Sequence, residues 1–170
     1  MRINILKIFT ITLMLVAFLA HAETYQHCNV KLDTLLHSNK YKTDIYTGKN
    51  AKKVILSPAT KRFRTQYQIA LDTHPKEVMA SHYVVTAWGC GAPCYGLGWV
   101  DLKNGKTFLG PTYSYSSEIL SDSTIIINDR PDSQEQIDRV EWLMPEAYRV
   151  NDDGKFKLIY QCKVDRKTSK

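Results

Sequence analysis

Beyond residue 20, this 170-residue chain has no apolar run of membrane-spanning length, so nothing after that point is suited to anchor it as a helix. There is no Gly-x-Ser-x-Gly nucleophile turn, and no cysteine pair separated by two residues as in the familiar thiol redox motif. A dense Arg/Lys stripe interleaved with aromatics is also missing, which sets nucleic acid aside as a partner. Beyond the first 22 residues the histidines are His27, His37, His74 and His82. They are scattered and form no ligand spacing, so neither a metal nor a cofactor is expected.

What is present starts with an export signal. Arg2 and Lys7 give a positive start, Ile8 to Ala20 is an apolar run of 13 residues, and Ala20-His21-Ala22 has the small-x-small pattern of a cleavage site. Residues 1–22 are expected to be a signal peptide, and 23–170 a single exported domain, periplasmic or extracellular. No transmembrane segment is expected after cleavage. No cysteine follows the cut directly, so a lipid anchor is not expected either. The remaining 148 residues suffice for one domain with its own core. They carry 21 basic and 17 acidic residues, a net +4, which is the balance of an ordinary basic domain.

Residues 23–50 are polar, with a short helix expected over Asn29–His37 and Val30, Leu32, Leu35 and Leu36 as its apolar contacts. Lys52–Leu56 reads as a strand. Ser57-Pro58 is a helix start, because the serine oxygen can cap free amides and proline fits the first helical position. Ala59, Phe63, Tyr67, Ala70 and Leu71 then share one helical face, and the helix should stop before His74-Pro75. Six strands follow: His82–Trp88, Gly98–Leu102, Lys106–Leu109, Ser123–Asn128, Ala147–Val150 and Phe156–Gln161. Asn104-Gly105 and Asn151-Asp152-Asp153-Gly154 are turn signals between strands, while Asp129–Glu141 reads as an exposed loop with at most one helical turn. Trp99–Lys106 echoes Tyr148–Lys155, with the glycines 49 residues apart. The echo is either a repeated blade-like hairpin or two unrelated turns. The expected fold is α+β: mainly an antiparallel β meander of blade-like hairpins from Tyr83 onward, with one packed α-helix, stabilised by disulfides.

The segment from His82 to Cys94 is the densest in uncommon residues. Phe63-Arg64-Thr65, Ser81-His82-Tyr83, Gly89-Cys90-Gly91 with Cys94, and Asp101 through Gly105-Lys106 follow one another in order. This order resembles that of a group of uncharacterised exported bacterial proteins. Their pattern runs Phe-Arg-Thr, Gly-His-Tyr, Gly-Cys-Gly with a second Cys, then Asp-x-x-x-Gly-Lys. The chain departs from it at Ser81, where the pattern has glycine, and at Val78-Met79, where it has Asn-Phe. The resemblance implies export and fold, and no activity.

Four cysteines allow three pairings, among which spacing alone does not choose. We expect Cys90–Cys94, whose three intervening residues include glycine and proline, and Cys28–Cys162, because this leaves no thiol unpaired in an oxidising compartment. The long Cys28–Cys162 loop contributes most in the chain-entropy model, about 4–5 kcal/mol. The chemical alternative is an envelope hydrolase or thiol enzyme centred on His82 and the Cys90–Cys94 turn, with Ser81 or a free thiol as nucleophile and Asp101 as orienter. Adjacent Ser81 and His82 in one strand would face opposite ways, and no coherent catalytic set emerges. Tyr83, Trp88, Tyr95, Trp99, Tyr113 and Tyr115 concentrate around the cysteine turn, where aromatic rings suit contact surfaces as well as sheet faces. The leading expectation is therefore a non-catalytic exported protein that binds another macromolecule, such as an inhibitor or immunity-type protein. Its partner would be a protein or envelope component, with His82, Trp88, Tyr95, Trp99 and Asp101 as candidate binding residues. A structural envelope component is the third reading.

Overall fold

In a computed structural model, which describes residues 26–73 and 78–163, the chain forms two four-stranded antiparallel sheets, each a simple meander. The first runs β1 (Val78–Met79), β2 (Tyr83–Gly91), β3 (Cys94–Asp101) and β4 (Thr107–Tyr113). The second runs β5 (Ser117–Ile119), β6 (Ile125–Asn128), β7 (Glu146–Val150) and β8 (Phe156–Gln161). The leader and the His74-Pro75 helix stop lie outside the described residues. Among the described residues, no helix is long and apolar enough to cross a membrane.

Alternation within the strands decides the layers. In β2 and β3, Tyr83, Leu97 and Trp99 point inward, packed with Ile126 and Val150 of the second sheet. Their neighbours Val84 and Val100 point the other way, onto helix α2 (Arg64–Thr73) through Tyr67 and Leu71. On the second sheet, Ile126 joins the inter-sheet core, while Ile125 and Ile127 face helix α1, over residues 26–36, through Leu32 and Leu36. The order of layers is therefore α1, second sheet, first sheet, α2. Both faces of each sheet are covered, which is why Ile125-Ile126-Ile127 can be buried without a break.

The expected fold class holds, with the meander divided into two sheets rather than one. The division falls after Tyr113, where buried Asp129 turns the chain: its carboxylate accepts the amides of Ser114 (2.9 Å) and Tyr115 (2.7 Å). All six expected strands form, Phe156–Gln161 with the expected ends, and β1 and β5 are additional. Lys52–Leu56 is not a strand. It makes a single parallel bridge, Ile55 to Lys106, beside the β3–β4 turn, and so has no ladder to extend. The Ser57 cap forms, its hydroxyl accepting the Thr60 amide at 3.3 Å, but a 3-10 turn over Lys61–Phe63 precedes α2 and Ala59 is exposed. Val30 of α1 is also exposed, and the apolar line is Cys28, Leu32 and Leu36 at helical spacing. The charged segment after Asp129 contains a further helix, α3 (Gln134–Arg139), capped by Ser133 and anchored by buried Ile137.

The two echoed segments occupy equivalent places, each joining the third strand of its sheet to the fourth. Gly105 (φ 78°) and Gly154 (φ 76°) share the left-handed conformation that such turns require. In each turn the residue before the glycine accepts, through its side-chain oxygen, the amide of the residue after it: Asn104 from Lys106 (2.8 Å) and Asp153 from Lys155 (3.2 Å).

Candidate functional site

β2 and β3 run on past the sandwich and end in an exposed tip closed by the Cys90–Cys94 disulfide. The second disulfide, Cys28–Cys162, ties the start of α1 to the end of β8, so both expected pairings are present. At the foot of the tip Tyr95 stacks on its cross-strand partner Tyr113, ring centres 5.3 Å apart. The Asp129-held turn brings Tyr115 alongside. Trp142 arrives from the segment after α3, where Leu143 is buried and its neighbours Trp142 and Met144 are left outside. Tyr95, Tyr115 and Trp142 are 46%, 54% and 53% exposed and, with Pro93 and Val140, line one groove of about 560 Å³ that contains no charged side chain.

Of the five candidate binding residues, only Tyr95 reaches this surface. Trp99 is fully buried between the sheets, its indole N–H donating to the Gly154 carbonyl at 3.0 Å. Trp88 lies on the outer face of the first sheet, stacked on Phe63 with ring centres 4.0 Å apart and edge-on to Tyr67. A side chain at Gly98 would collide with Trp88 and with the Tyr67 hydroxyl, which donates to the Phe108 carbonyl at 2.8 Å. Burial raises the pKa of Tyr67, so this phenol stays protonated.

His82 and Asp101 stand at the other end of β2 and β3. The His82 Nδ1 lies 2.6 Å from the Ala80 carbonyl, which only accepts, so Nδ1 carries the proton. Burial pushes the His82 pKa down and the Lys103 ammonium adds to this, while the Ala80 bond and the Asp101 and Asp152 carboxylates oppose it. Asp101 is buried and organises its own turn, accepting the Lys103 amide (2.9 Å) and the Asn104 side-chain amide (2.6 Å). Ser81 shares a hydrogen bond with Thr43 at 3.1 Å and donates to the Ser121 carbonyl at 3.3 Å. The three polar groups named for a hydrolytic set are thus each engaged with separate partners. No group of three or more metal-ligating side chains occurs among the described residues. Ser81 also has φ 62°, a left-handed conformation that glycine suits.

Trp142 and Asp129 are the residues that sequence reasoning missed. Trp142 is a lone large aromatic in a charged stretch, a signal that was available; the reach of Asp129 to Ser114 and Tyr115 leaves no local mark. No family model, curated protein or solved structure matches this chain.

Proposed function

We propose that this is a non-catalytic exported protein, periplasmic or secreted, that binds another macromolecule through the aromatic rim at the disulfide-closed tip. An inhibitor or immunity-type protein is the form this reading takes. The observation that carries it is the joint exposure of Tyr95, Tyr115 and Trp142 around one uncharged groove. Clustered tyrosine and tryptophan provide large apolar contact area with a hydroxyl or indole N–H at the tip, and they dominate binding energy in many interfaces. The rim stands on cross-linked and hydrogen-bonded elements, so little ordering cost remains on binding. Two disulfides and a leader-like start agree with an oxidising destination.

The experiment is partner capture from envelope extract with the disulfide-intact protein, repeated with Tyr95→Ala, Tyr115→Ala and Trp142→Ala variants. Loss of the same partner from all three, with thermal unfolding unchanged, supports the rim. A partner retained equally by three folded variants removes it.

A further inference from the structure

We propose that the open edge of β8, with the apolar groove beside it, docks an extended acidic segment of another protein. This site is separate from the aromatic rim. The second sheet ends at β8, and among the described residues no strand pairs with its outer edge. Edges of this kind are normally blunted by charge, proline or a covering segment. Here Phe156, Leu158 and Ile159 are 38%, 42% and 36% exposed, and Lys157 is the one charged residue of the strand.

The register with β7 sets Phe156 beside Val150 and Leu158 beside Tyr148, so both lie on the face turned toward the first sheet. On that side a groove of about 600 Å³ opens, with Ile55, Leu56, Phe108, Leu109 and Phe156 as its apolar walls. Lys106 and Lys155 are the only charged side chains lining it. From Gly154 to Lys163 there are three lysines and no carboxylate. Lys155 is paired with Asp153 at 3.0 Å, but Lys106 and Lys157 have no ion-pair partner among the described residues. On the adjacent strand, Glu146 is occupied by the Tyr148 hydroxyl and the Gln161 side-chain amide. Asp152 and Asp153 are confined to the turn before β8.

An added strand gains main-chain hydrogen bonds from the β8 edge and places alternate apolar side chains on the groove side with Phe156 and Leu158. It sets the intervening carboxylates on the opposite face, beside Lys157 and its cross-strand neighbour Arg149. A second copy of β8 would instead bring lysine-bearing strands together, and like charges across a strand pair destabilise it. The charge therefore selects an acidic strand from a different protein.

The test uses the disulfide-intact chain and fluorescence anisotropy with three short labelled peptides. One alternates Val and Glu, one alternates Val and Lys, and one is the Val/Glu peptide N-methylated at alternate residues. The expected result is binding of the Val/Glu peptide alone, with Kd below about 1 mM and weakening as salt rises. A folded Lys157→Glu variant should bind it at least about tenfold more weakly, whereas Trp142→Ala should bind unchanged. Absence of saturable binding, equal binding of the lysine peptide, or indifference to N-methylation overturns the proposal. So does a sedimentation-detected dimer that Leu158→Lys abolishes, which assigns the edge to a second copy.

Discussion

The indole N–H of Trp99 on β3 donates to the carbonyl of Gly154 in the β7–β8 turn at 3.0 Å, joining the two sheets by a hydrogen bond inside the core. The Tyr83 hydroxyl donates to Asp152 in the same turn at 3.3 Å. The turn of the second sheet is thereby held over the aromatic core of the first. Trp99→Phe should cost about 2–4 kcal/mol, from lost volume and an unpaired buried carbonyl. Urea unfolding measures it, and a cost under about 0.5 kcal/mol would mean that the bond contributes little.

The two equivalent turn glycines should respond unequally to alanine. Both have positive φ, which costs about 1–2 kcal/mol for alanine. A methyl group at Gly154 meets the Phe108 ring, which can rotate, whereas at Gly105 it meets the backbone carbonyl of Lys53, which cannot. Gly105→Ala should therefore be the more destabilised variant in parallel unfolding curves.

The disulfides should differ in weight. Cys28–Cys162 spans 134 residues and Cys90–Cys94 spans 4. Loop entropy assigns them about 5 and about 2 kcal/mol. The Cys28→Ser/Cys162→Ser double variant should lose far more stability than Cys90→Ser/Cys94→Ser, as read by unfolding midpoints. The tip variant should still lose rim binding if the disulfide shapes that surface.

His82 should give a specific pH dependence. Its pKa is lowered in the fold from the ordinary 6.5, chiefly by burial, so the unfolded chain binds the proton more readily. The stability that this group supplies is complete above pH 6.5 and is lost as pH falls through the lower folded value. Unfolding free energies of wild type and His82→Gln, compared between pH 8 and pH 5, should converge toward the acid end. Parallel curves would remove His82 as the source.

Trp142→Ala and Tyr115→Ala should each leave stability within about 0.5 kcal/mol, since neither ring is buried. Trp88→Ala should cost about 3 kcal/mol or more, because it vacates the face shared with Phe63 and Tyr67. Differential scanning calorimetry separates the two classes, and a large loss at Trp142 would recast the rim as packing.

Much of this molecule follows from short-range chemistry. The left-handed preference of Asn-Gly and Asp-Gly places two hairpins, short β-rich runs mark six strands, and helical spacing aligns Phe63, Tyr67, Ala70 and Leu71 on one face. The pairing that forms is the one expected from the Gly/Pro turn between Cys90 and Cys94 and from an oxidising compartment that leaves no thiol unpaired, whereas spacing alone does not choose it. The candidate site was legible mainly at Tyr95. Aromatic density alone does not say which face of a strand remains open, and both faces of the first sheet are covered, one by α2 and one by the second sheet. Trp88 and Trp99 are therefore packing residues, whereas Tyr95, on the same hairpin but beyond the sandwich, is exposed. The break into two sheets and the arrival of Trp142 beside the cysteine tip depend on Asp129, Ile137 and Leu143, whose burial is an outcome of long-range packing. Local periodicity carries information on what each segment becomes, while the choice of which surfaces meet rests on burial summed over the whole chain.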